Sequence, residues 1–505
     1  MNNTRLDLCV GLAALVLFPC WWLTRKPKVR HPPSPPSLPF VGNLFSIPND
    51  NEHLAFLKLG EQLKSDIVYL EILGQKIIVL NSAEAASDLL DKRSVLYSDR
   101  PFLPMVTNSD LMNWSKNASI IPPNDIWRFY RRIMNNWLNA RAVTQFSVLQ
   151  ERRTRSLLRE LLRGMNHAQP FEFVKDAFFF AMGSSMLQLA YGYKPQNTED
   201  QFFQEAQLAF HNIFLATTQT NFYVNAFPAL SYFPDWFPGT GWKRTAREWG
   251  VQQEKAKTEL YEWLKAQVPS LLGNLFKGHK LLADLSPTER DERLKEIGII
   301  VFGGGTDTSS KFLISLVLAM VLNPHVQANA QHELDTVIGR AVLPNASDKE
   351  RLPYIRNLVN EVFRLYPVFP LAVPHACFHN DTYRGYDIEI GTTVAMGRDP
   401  YHYKDPELFN PDRFLDPDVP KPPVFGWGRR KCPGVHFAEN AALIATASLL
   451  AFFTFSKKRD SNFQEVTPRV ELERNSIALE LKPFEFEFKP RSKEHEQVLL
   501  AAIDE

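Results

Sequence analysis

The most informative stretch of the chain is FGWGRRKCPG, which runs from Phe425 to Gly434. Three glycines surround a single cysteine, Cys432, in this stretch. Glycine adopts backbone conformations that other residues avoid, and it lets a flat ligand approach the main chain closely. Three cations precede the cysteine, and nearby positive charge favours the thiolate form of a thiol. The pattern therefore predicts a tight, positive loop that presents Cys432 as a sulfur ligand to a metal such as iron.

The number of cysteines limits the alternatives for Cys432. The chain has four cysteines, and Cys9 and Cys20 lie in an apolar N-terminal run, which leaves Cys377 and Cys432 in the rest of the chain. So few cysteines predict no disulfide framework. No other cysteine or close histidine pair supplies a tetrahedral zinc set. The remaining alternative is a cysteine that only packs in the core.

The loop resembles the haem-binding signature of the cytochrome P450 family, Phe-x-x-Gly-x-Arg-x-Cys-x-Gly, at Phe425, Gly428, Arg430, Cys432 and Gly434. Five fixed positions in one decapeptide make this pattern specific, and further motifs of the family follow in order across essentially the whole chain. The resemblance implies haem b as the cofactor, with the Cys432 thiolate as the ligand to its iron. It also implies the fold of the family, a mainly α, large helical domain with a small β region.

A second motif matches residues that support the haem pocket in this family. Glu361 and Arg364, in NEVFRLYP, are three residues apart, so they share one side of a helix. In the family this pair binds an arginine further along the chain, which corresponds to Arg413 in NPDRF. Without the resemblance, the pair would be interpreted as solvated surface charges.

Four residues match contacts of the family with haem. Trp127 and Arg131, in DIWRFYRR, share one helical face and resemble the motif Trp-x-x-x-Arg, whose arginine meets a haem propionate. A planar guanidinium suits a carboxylate. Arg430 and, in VPHA, His375 match other propionate contacts. Each of these cations would otherwise be an ordinary surface charge.

The segment GGTDTS, from Gly304 to Ser309, interrupts a long apolar helical pattern with small and polar residues. Each glycine costs a helix about 1 kcal/mol, so something must offset that cost. The segment resembles the distal-helix motif of the family, in which a local opening accommodates oxygen and water. The resemblance implies that Asp307 and Thr308 relay protons to bound dioxygen. The alternative is that both side chains bond to their own backbone.

The composition favours one large domain and argues against nucleic acid as a partner. Hydrophobic residues make up 45% of the 505 residues, which is ample for a large core with an apolar cavity. The 57 Lys and Arg balance the 56 Asp and Glu, so the net field does not attract a polyanion.

Periodicity of the apolar residues predicts a mostly helical domain with minor β elements. Helices are expected at Trp127 to Leu138, Arg152 to Leu162 and Lys295 to Leu322, and from Val435 onward. Strands are expected as a hairpin split by Gly74 and Gln75 within Ile67 to Leu80, and within Ala372 to Val394 and Val470 to Phe488.

The first 40 residues predict a transmembrane helix and a hinge. Leu8 to Leu23 is almost wholly apolar, and basic residues follow it. This order favours a retained anchor over a cleaved signal peptide and places the rest of the chain in the cytosol. We expect a membrane anchor at residues 1–24, a basic and proline-rich hinge at 25–40 that acts as a spacer, and a haem-thiolate catalytic domain at 41–505. The resemblance implies a single-pass protein of the endoplasmic reticulum membrane.

The sequence as a whole resembles fungal, microsomal members of the family that act in specialised metabolism. This implies a monooxygenase that hydroxylates a lipophilic small molecule with O2, and a terpenoid or an aromatic, indole-type scaffold is the expected substrate. The implied partners are NADPH-cytochrome P450 reductase and membrane lipid. Cations are expected to form a docking face for the acidic reductase; they are Arg128, Arg132, Arg429 and Lys431.

One segment departs from the family. Residues 392–400, TTVAMGRDP, are several residues fewer than the corresponding family segment, so a strand and part of a loop are expected to be missing. Two alternatives to a monooxygenase stay open, a peroxide-using or isomerising haem-thiolate enzyme and an inactive haem-binding protein. The intact Asp307 and Thr308 argue against the first alternative, and the short segment favours the second.

Overall fold

The computed structural model describes residues 29–47, 51–218, 221–266, 271–276, 280–396, 402–473 and 477–501. The predicted anchor at residues 1–24 lies outside the described residues. Within them, two helices are long and apolar enough to cross a membrane, Pro287–Leu322 and Val435–Phe452, but 67% of the apolar stretch of each is buried inside the fold. Core helices of a globular domain have the same composition, so these two do not indicate membrane spans.

Helices form most of the described chain, as predicted. The longer ones are α1 (Glu52–Leu63), α2 (Asp125–Leu138), α3 (Ser147–Arg163), α4 (Pro170–Tyr191), α5 (Gln201–Thr217), α6 (Trp242–Ala266), α7 (Pro287–Leu322), α8 (Pro324–Val337), α9 (Pro353–Leu365), α10 (Val435–Phe452) and α11 (Lys493–Ala501). Short helical segments are Ala83–Ala86, Pro104–Thr107, Tyr223–Ala226 and Leu271–Phe276. The helices expected from periodicity are confirmed as α2, α3, α7 and α10.

The strands are short and form small sheets. They are β1 (Ile67–Ile72), β2 (Gln75–Leu80), β3 (His375–Ala376), β4 (Asp381–Tyr383), β5 (Tyr386–Ile388), β6 (Thr393–Met396), β7 (Phe453–Ser456), β8 (Lys458–Arg459), β9 (Glu465–Val466) and β10 (Glu487–Pro490). The largest sheet has the order β1-β2-β6-β3, and the pairs β10-β7, β4-β5 and β8-β9 stand apart from it.

Two strand predictions need correction in detail. The hairpin of β1 and β2 is confirmed, but it turns at Leu73 and Gly74 rather than at Gly74 and Gln75, because both turn residues have a positive φ, 51° and 81°. From Val470 to Phe488 the described residues contain only the start of β10 and one isolated bridge, because β7 pairs only with Glu487–Pro490, of which the first two residues fall in this region.

Helix α7 runs through two hydrophobic cores, one at each part of its length. From Phe312 to Val321 it packs in a core with α3, α4, α8, α9 and α10. From Leu294 to Phe302 it packs in a second core with α2, α5 and α6. The residues between these stretches, 303–311, therefore lie where the two cores meet, and they include Asp307 and Thr308.

The described part of the predicted hinge packs on the domain instead of forming a free spacer. The amide of Tyr69 donates to the carbonyl of Pro33 at 2.9 Å. The amide of Arg30 donates to the Asp387 carboxylate at 2.9 Å, and the amide of Asp387 donates back to the carbonyl of Arg30 at 2.8 Å. Strands β1 and β5 thus offer hydrogen-bond partners to Pro33 and Arg30.

Candidate active site

The loop before α10 holds Cys432 in a fixed backbone conformation. The amide of Cys432 donates to the carbonyl of Phe425 at 2.8 Å, which closes the loop. Gly428 has a φ of +54°, and a Cβ there would lie 2.0 Å from the carbonyl oxygen of Leu90. Only glycine fits at this position. The helix α10 then begins three residues after the cysteine, at Val435.

The prediction that the loop cations favour the thiolate is wrong for the protein by itself. Burial raises the pKa of the Cys432 thiol, and the backbone amide of Gly434 and the charge of Arg131 oppose it only in part. The cation that acts on the sulfur is thus Arg131, on α2, rather than one of the loop residues. A metal ion bound at the sulfur would supply the missing positive charge, because a coordinating thiol is deprotonated.

The side chain of Trp127 lies between two guanidinium groups. The guanidinium carbon of Arg430 lies 4.7 Å from the indole centroid, and that of Arg131 lies 5.7 Å from it. Arg430 also donates to the carbonyls of Ser98 at 2.7 Å and Ile121 at 2.6 Å. Three of the residues that the sequence singled out are therefore together next to Cys432.

A third arginine, Arg100, belongs to this group, and the sequence did not single it out. It donates to the carbonyls of Val373 at 2.7 Å and Pro374 at 2.6 Å. Burial and the charge of Arg430 together lower the pKa of Arg100 to about 9, although the charge of Asp99 opposes them. The two carbonyls stand just before β3, more than 270 residues along the chain, so only the fold brings them to Arg100.

His375 lies beside these arginines as a neutral ring. Burial lowers the pKa of His375 to about 3, and the charges of Arg100 and Arg430 contribute to the shift. Its Nδ1 bonds to the carbonyl of Tyr97 at 2.7 Å, so the proton of the neutral ring is on Nδ1 and Nε2 can only accept. A contact of Nε2 with a propionate would need a second proton on the ring, which a nearby carboxylate favours.

The buried Glu361 joins two arginines under the Cys432 loop region. Arg364 donates to both oxygens of Glu361 at 2.8 and 2.9 Å, and Nε of Arg413 lies 3.1 Å from each of them. The amide of Asn410 also donates to Glu361 at 2.7 Å. Both guanidinium groups donate further to the carbonyl of Leu408, at 3.2 and 2.9 Å. The group therefore ties α9 to the loop at residues 404–413.

Helix α7 is continuous through the GGTDTS segment, so the predicted local opening is absent from the described backbone. The close packing of two neighbouring side chains explains the glycines. A Cβ at Gly303 would lie 1.9 Å from the ring of Phe210, and one at Gly305 would lie 2.1 Å from the sulfur of Met186. At Gly304, however, a Cβ would meet nothing within 4 Å, so open space lies beside the helix here.

Asp307 and Thr308 are bonded within α7. The hydroxyl of Thr308 donates to the carbonyl of Gly304 at 2.7 Å, which is the alternative that the sequence left open. Both carboxylate oxygens of Asp307 accept from Lys311, at 2.9 and 2.8 Å. Neither side chain is hydrogen-bonded to the residues around Cys432.

The described part of the short segment keeps its place in the main sheet. Strand β6 pairs with β2 in parallel and with β3 antiparallel. Residues 397–401 are outside the described residues, so the predicted missing loop is not tested there. The strand that carries His375 is nevertheless paired to β6, which keeps that side of the site closed.

The arrangement fits an anionic, flat cofactor that offers an iron ion to Cys432. Within the described residues, no carboxylate lies within 4 Å of the guanidinium groups of Arg100, Arg131 or Arg430. Three partly buried cations without a counter-charge are costly, so an anion at this place stabilises them. Open space lies at Gly426 as well, where a Cβ would have no neighbour within 4 Å. These features suit the two propionates and the ring of haem.

The fold is a mostly helical domain in which partly buried arginines gather near one cysteine, and comparison with known proteins identifies the family. A sequence model of the family Cytochrome P450 matches residues 32–488. A cytochrome P450 monooxygenase of Postia placenta is 34% identical to the chain, over 99% of the chain and 98% of its own length. Another of Armillaria gallica is 34% identical over 98% of each chain. Tryptamine 4-monooxygenase of Psilocybe cyanescens is 32% identical over 96% of this chain and 99% of its own.

The chain belongs to the cytochrome P450 family. The predictions of a fungal type of this family and of a monooxygenase are confirmed by these relatives. The family match begins at residue 32, inside the predicted hinge. This agrees with the packing of residues 30–36 on the domain.

Proposed function

We propose that the protein is a haem-thiolate monooxygenase that hydroxylates a lipophilic small molecule in fungal specialised metabolism. The observation that carries the proposal is the group of three arginines near Cys432, Arg100, Arg131 and Arg430, which have no carboxylate partner among the described residues. In the proposal these arginines, Trp127 and His375 hold haem b, and Cys432 binds its iron. Phe425, Gly428 and Gly434 shape the loop, while Glu361, Arg364 and Arg413 support it from α9.

When bound, the haem iron supplies the activation of O2 with electrons from NADPH-cytochrome P450 reductase. The residues of the chain supply the surroundings of that chemistry. Cys432 would hold the haem iron through its thiolate, which would supply electron density to the iron. The arginines neutralise the propionates, and Asp307 and Thr308 deliver protons from the distal helix. Apolar side chains that pack on α7, such as Phe210 and Phe302, exclude water.

The proposed substrate is a terpenoid or an aromatic, indole-type molecule. Stretches that we expect to face it are 101–121, 202–238, 302–306 and 368–373. Aromatic rings support this proposal, since Phe210, beside Gly303, contacts both Phe214 and Phe302. One relative is named for the oxidation of tryptamine, which contains an indole. The Asp307 carboxylate is already paired with Lys311, so an uncharged or weakly charged group suits this part of the cavity.

The proposed location is the endoplasmic reticulum membrane, with a single-pass anchor at residues 1–24 and a cytosolic catalytic domain. Exposed aromatic side chains support contact with lipid. Tyr232 is 89% and Trp236 is 79% exposed, in the segment Phe227–Pro238, and Phe40 is 98% exposed near the start of the domain. Large exposed apolar residues mark interaction surfaces. Gln75, next to the hairpin turn, donates to the carbonyl of Asn225, and the amide of Leu73 in the turn donates to the carbonyl of Val41 at 3.4 Å. Both Phe227–Pro238 and Phe40 therefore lie near the same hairpin.

The proposed reductase face needs one correction. Arg128 is paired with Asp125 at 2.9 Å, so its charge is partly neutralised. Arg132, Arg429 and Lys431 are exposed and have no carboxylate within 4 Å among the described residues. These three remain suited to an acidic partner.

Charge reversal tests this face. The double variant Arg132→Glu with Lys431→Glu is expected to slow haem reduction by the reductase at least about tenfold at low salt, because rim charges act mainly on association. Stopped-flow reduction measures the rate, and reduction by dithionite checks that the haem site is intact. Arg244→Glu, on α6, serves as the control and should leave the rate unchanged. Unchanged reduction of the double variant would argue against the face.

The carbon monoxide difference spectrum tests the proposed function directly. The full chain would be expressed in microsomal membranes and reduced before carbon monoxide is added. The long-wavelength Soret band of thiolate ligation is expected, and turnover of lipophilic substrates with reductase and NADPH should follow. A histidine-like band, or none, would contradict the proposal. A thiolate band with turnover only on added peroxide would favour the peroxide-using alternative, and a band with no turnover would favour the inactive haem-binding protein.

A further inference from the structure

Lys311, on α7, lies between two carboxylates. Its Nζ donates to both oxygens of Asp307, and it also lies 3.9 Å from Oε2 of Glu480. The side chains of Lys311 and Asp307 are only 17% and 16% exposed. An ion pair with so little water around it is stronger than an exposed pair at the same helical spacing. The position of this one lysine therefore decides whether the two carboxylate oxygens of Asp307 are hydrogen-bonded within α7.

Glu480 is a second, competing partner for Lys311 that solvent can reach. Its carboxylate lies 3.2 Å from Lys175 on α4, and the two side chains are 33% and 42% exposed. Burial raises the pKa of Glu480, but Lys311, Lys175 and His211 on α5 lower it by more, so the net direction is downward. Glu480 thus stays ionised and attracts Lys311. The ring of Phe214, 5.5 Å from Nζ of Lys311, completes the surroundings.

The side chains of the two proposed relay residues, Asp307 and Thr308, are both engaged in hydrogen bonds within α7 in this arrangement. Both oxygens of Asp307 are occupied by Lys311, and the proton of Thr308 is donated to the carbonyl of Gly304. A carboxylate that carries protons must first take one from water, and a close ammonium group opposes that uptake. Proton delivery therefore requires that Lys311 leave Asp307 for part of each cycle.

We infer that Lys311 is a positioning residue that exchanges Asp307 for Glu480 and so controls proton uptake by Asp307. In the exchange, the hydrogen bonds from Nζ to Asp307 break, and the contact of 3.9 Å to Glu480 shortens to a hydrogen bond. Asp307 then accepts a proton from water, and Lys311 keeps all of its own protons. A small displacement suffices, because Nζ is already near both carboxylates. The inference rests on the proposed monooxygenase function, in which Asp307 supplies protons.

Infrared difference spectroscopy of the full chain between acidic and neutral pH tests the exchange. The carboxyl band of Asp307 is identified by its loss in Asp307→Asn. Glu480→Gln removes the competing partner, so Lys311 stays on Asp307. The pH at which this band appears is expected to fall by about half a unit or more, which is about threefold fewer protonated carboxyls at a given pH. Lys311→Arg, which keeps the charge, should retain the response to Glu480→Gln.

The same substitution in a Lys311→Met background separates the exchange from a direct effect of charge. If Lys311 mediates the coupling, Glu480→Gln has little effect on the Asp307 band once Lys311 is replaced. An equal shift in both backgrounds would overturn the inference, as would no shift in either. This measurement does not depend on haem. A failure of the proposed function would instead show as the absence of the thiolate band in the unmodified protein.

Discussion

Cys432→Ser is expected to abolish the thiolate type of carbon monoxide spectrum and to lower turnover by more than about 100-fold. Loss of a residue that only orients a metal ligand costs up to about 100-fold, and loss of the ligand itself should cost more. A hydroxyl is a poor ligand for haem iron compared with a thiolate. Serine is close to cysteine in size, and the bond from the amide at 432 to the carbonyl of Phe425 is retained. The loop should therefore keep its shape while it loses its ligand. Absorbance of the reduced, carbon monoxide-treated protein measures the outcome.

Cys377→Ser is the matched control. Cys377 is also buried, at 1% exposure, and its thiol donates to the carbonyl of His379 at 2.7 Å. A serine hydroxyl can make the same bond, so the spectrum and the turnover should be unchanged. If Cys432→Ser kept the thiolate band, or if the Cys377 variant lost it, Cys432 would not be the ligand.

The local part of the site could be predicted from the sequence because it depends on spacing along one element. Trp127 and Arg131 are four residues apart on α2, and their contact follows from the helix period. Glu361 and Arg364 pair on α9 for the same reason. The partner in a third element, Arg413, was accessible only through the resemblance to the family.

The parts that sequence reasoning missed depend on contacts between distant segments. Arg100 bonds to carbonyls at 373 and 374, and no pattern around residue 100 points to them. The rise in the pKa of the Cys432 thiol likewise comes from burial. The charged residues of the loop gave no indication of that burial in the sequence. Lys311 is different, because its spacing from Asp307 is visible in the sequence, yet its second partner, Glu480, is 169 residues further on.

The hinge shows a related limit. Its prolines predict a stiff, extended segment, and residues 31–37 are extended without regular structure. An extended segment can either stand free or pack beside a strand, and composition does not distinguish the two. The backbone amide of Tyr69 in β1 decides the matter, since it donates a hydrogen bond to the carbonyl of Pro33. Rigidity was thus predictable, whereas the place where the rigid segment binds was not.

Glu361→Gln is expected to destabilise the protein by about 3–5 kcal/mol, because it leaves two buried arginines without a counter-charge. Glu361 is fully buried, and the side chains of Arg364 and Arg413 are only 4% and 6% exposed. Glutamine has nearly the same shape as glutamate, so the loss of stability reports the effect of removing the charge. The midpoint of urea unfolding, followed by the haem absorbance of the full chain, measures the effect.

The control for Glu361→Gln is the same substitution in a nearby, solvent-exposed ion pair. Glu350 is 76% exposed, in the segment Ala346–Arg351 just before α9, and it lies 3.2 Å from Arg356 on α9. Glu350→Gln should cost less than about 1 kcal/mol, since exposed ion pairs contribute little. Equal effects of the two substitutions would mean that the Glu361 group behaves as a surface pair and does not support the haem pocket. A large loss for Glu361→Gln alone, with early release of haem, would assign that support to the carboxylate.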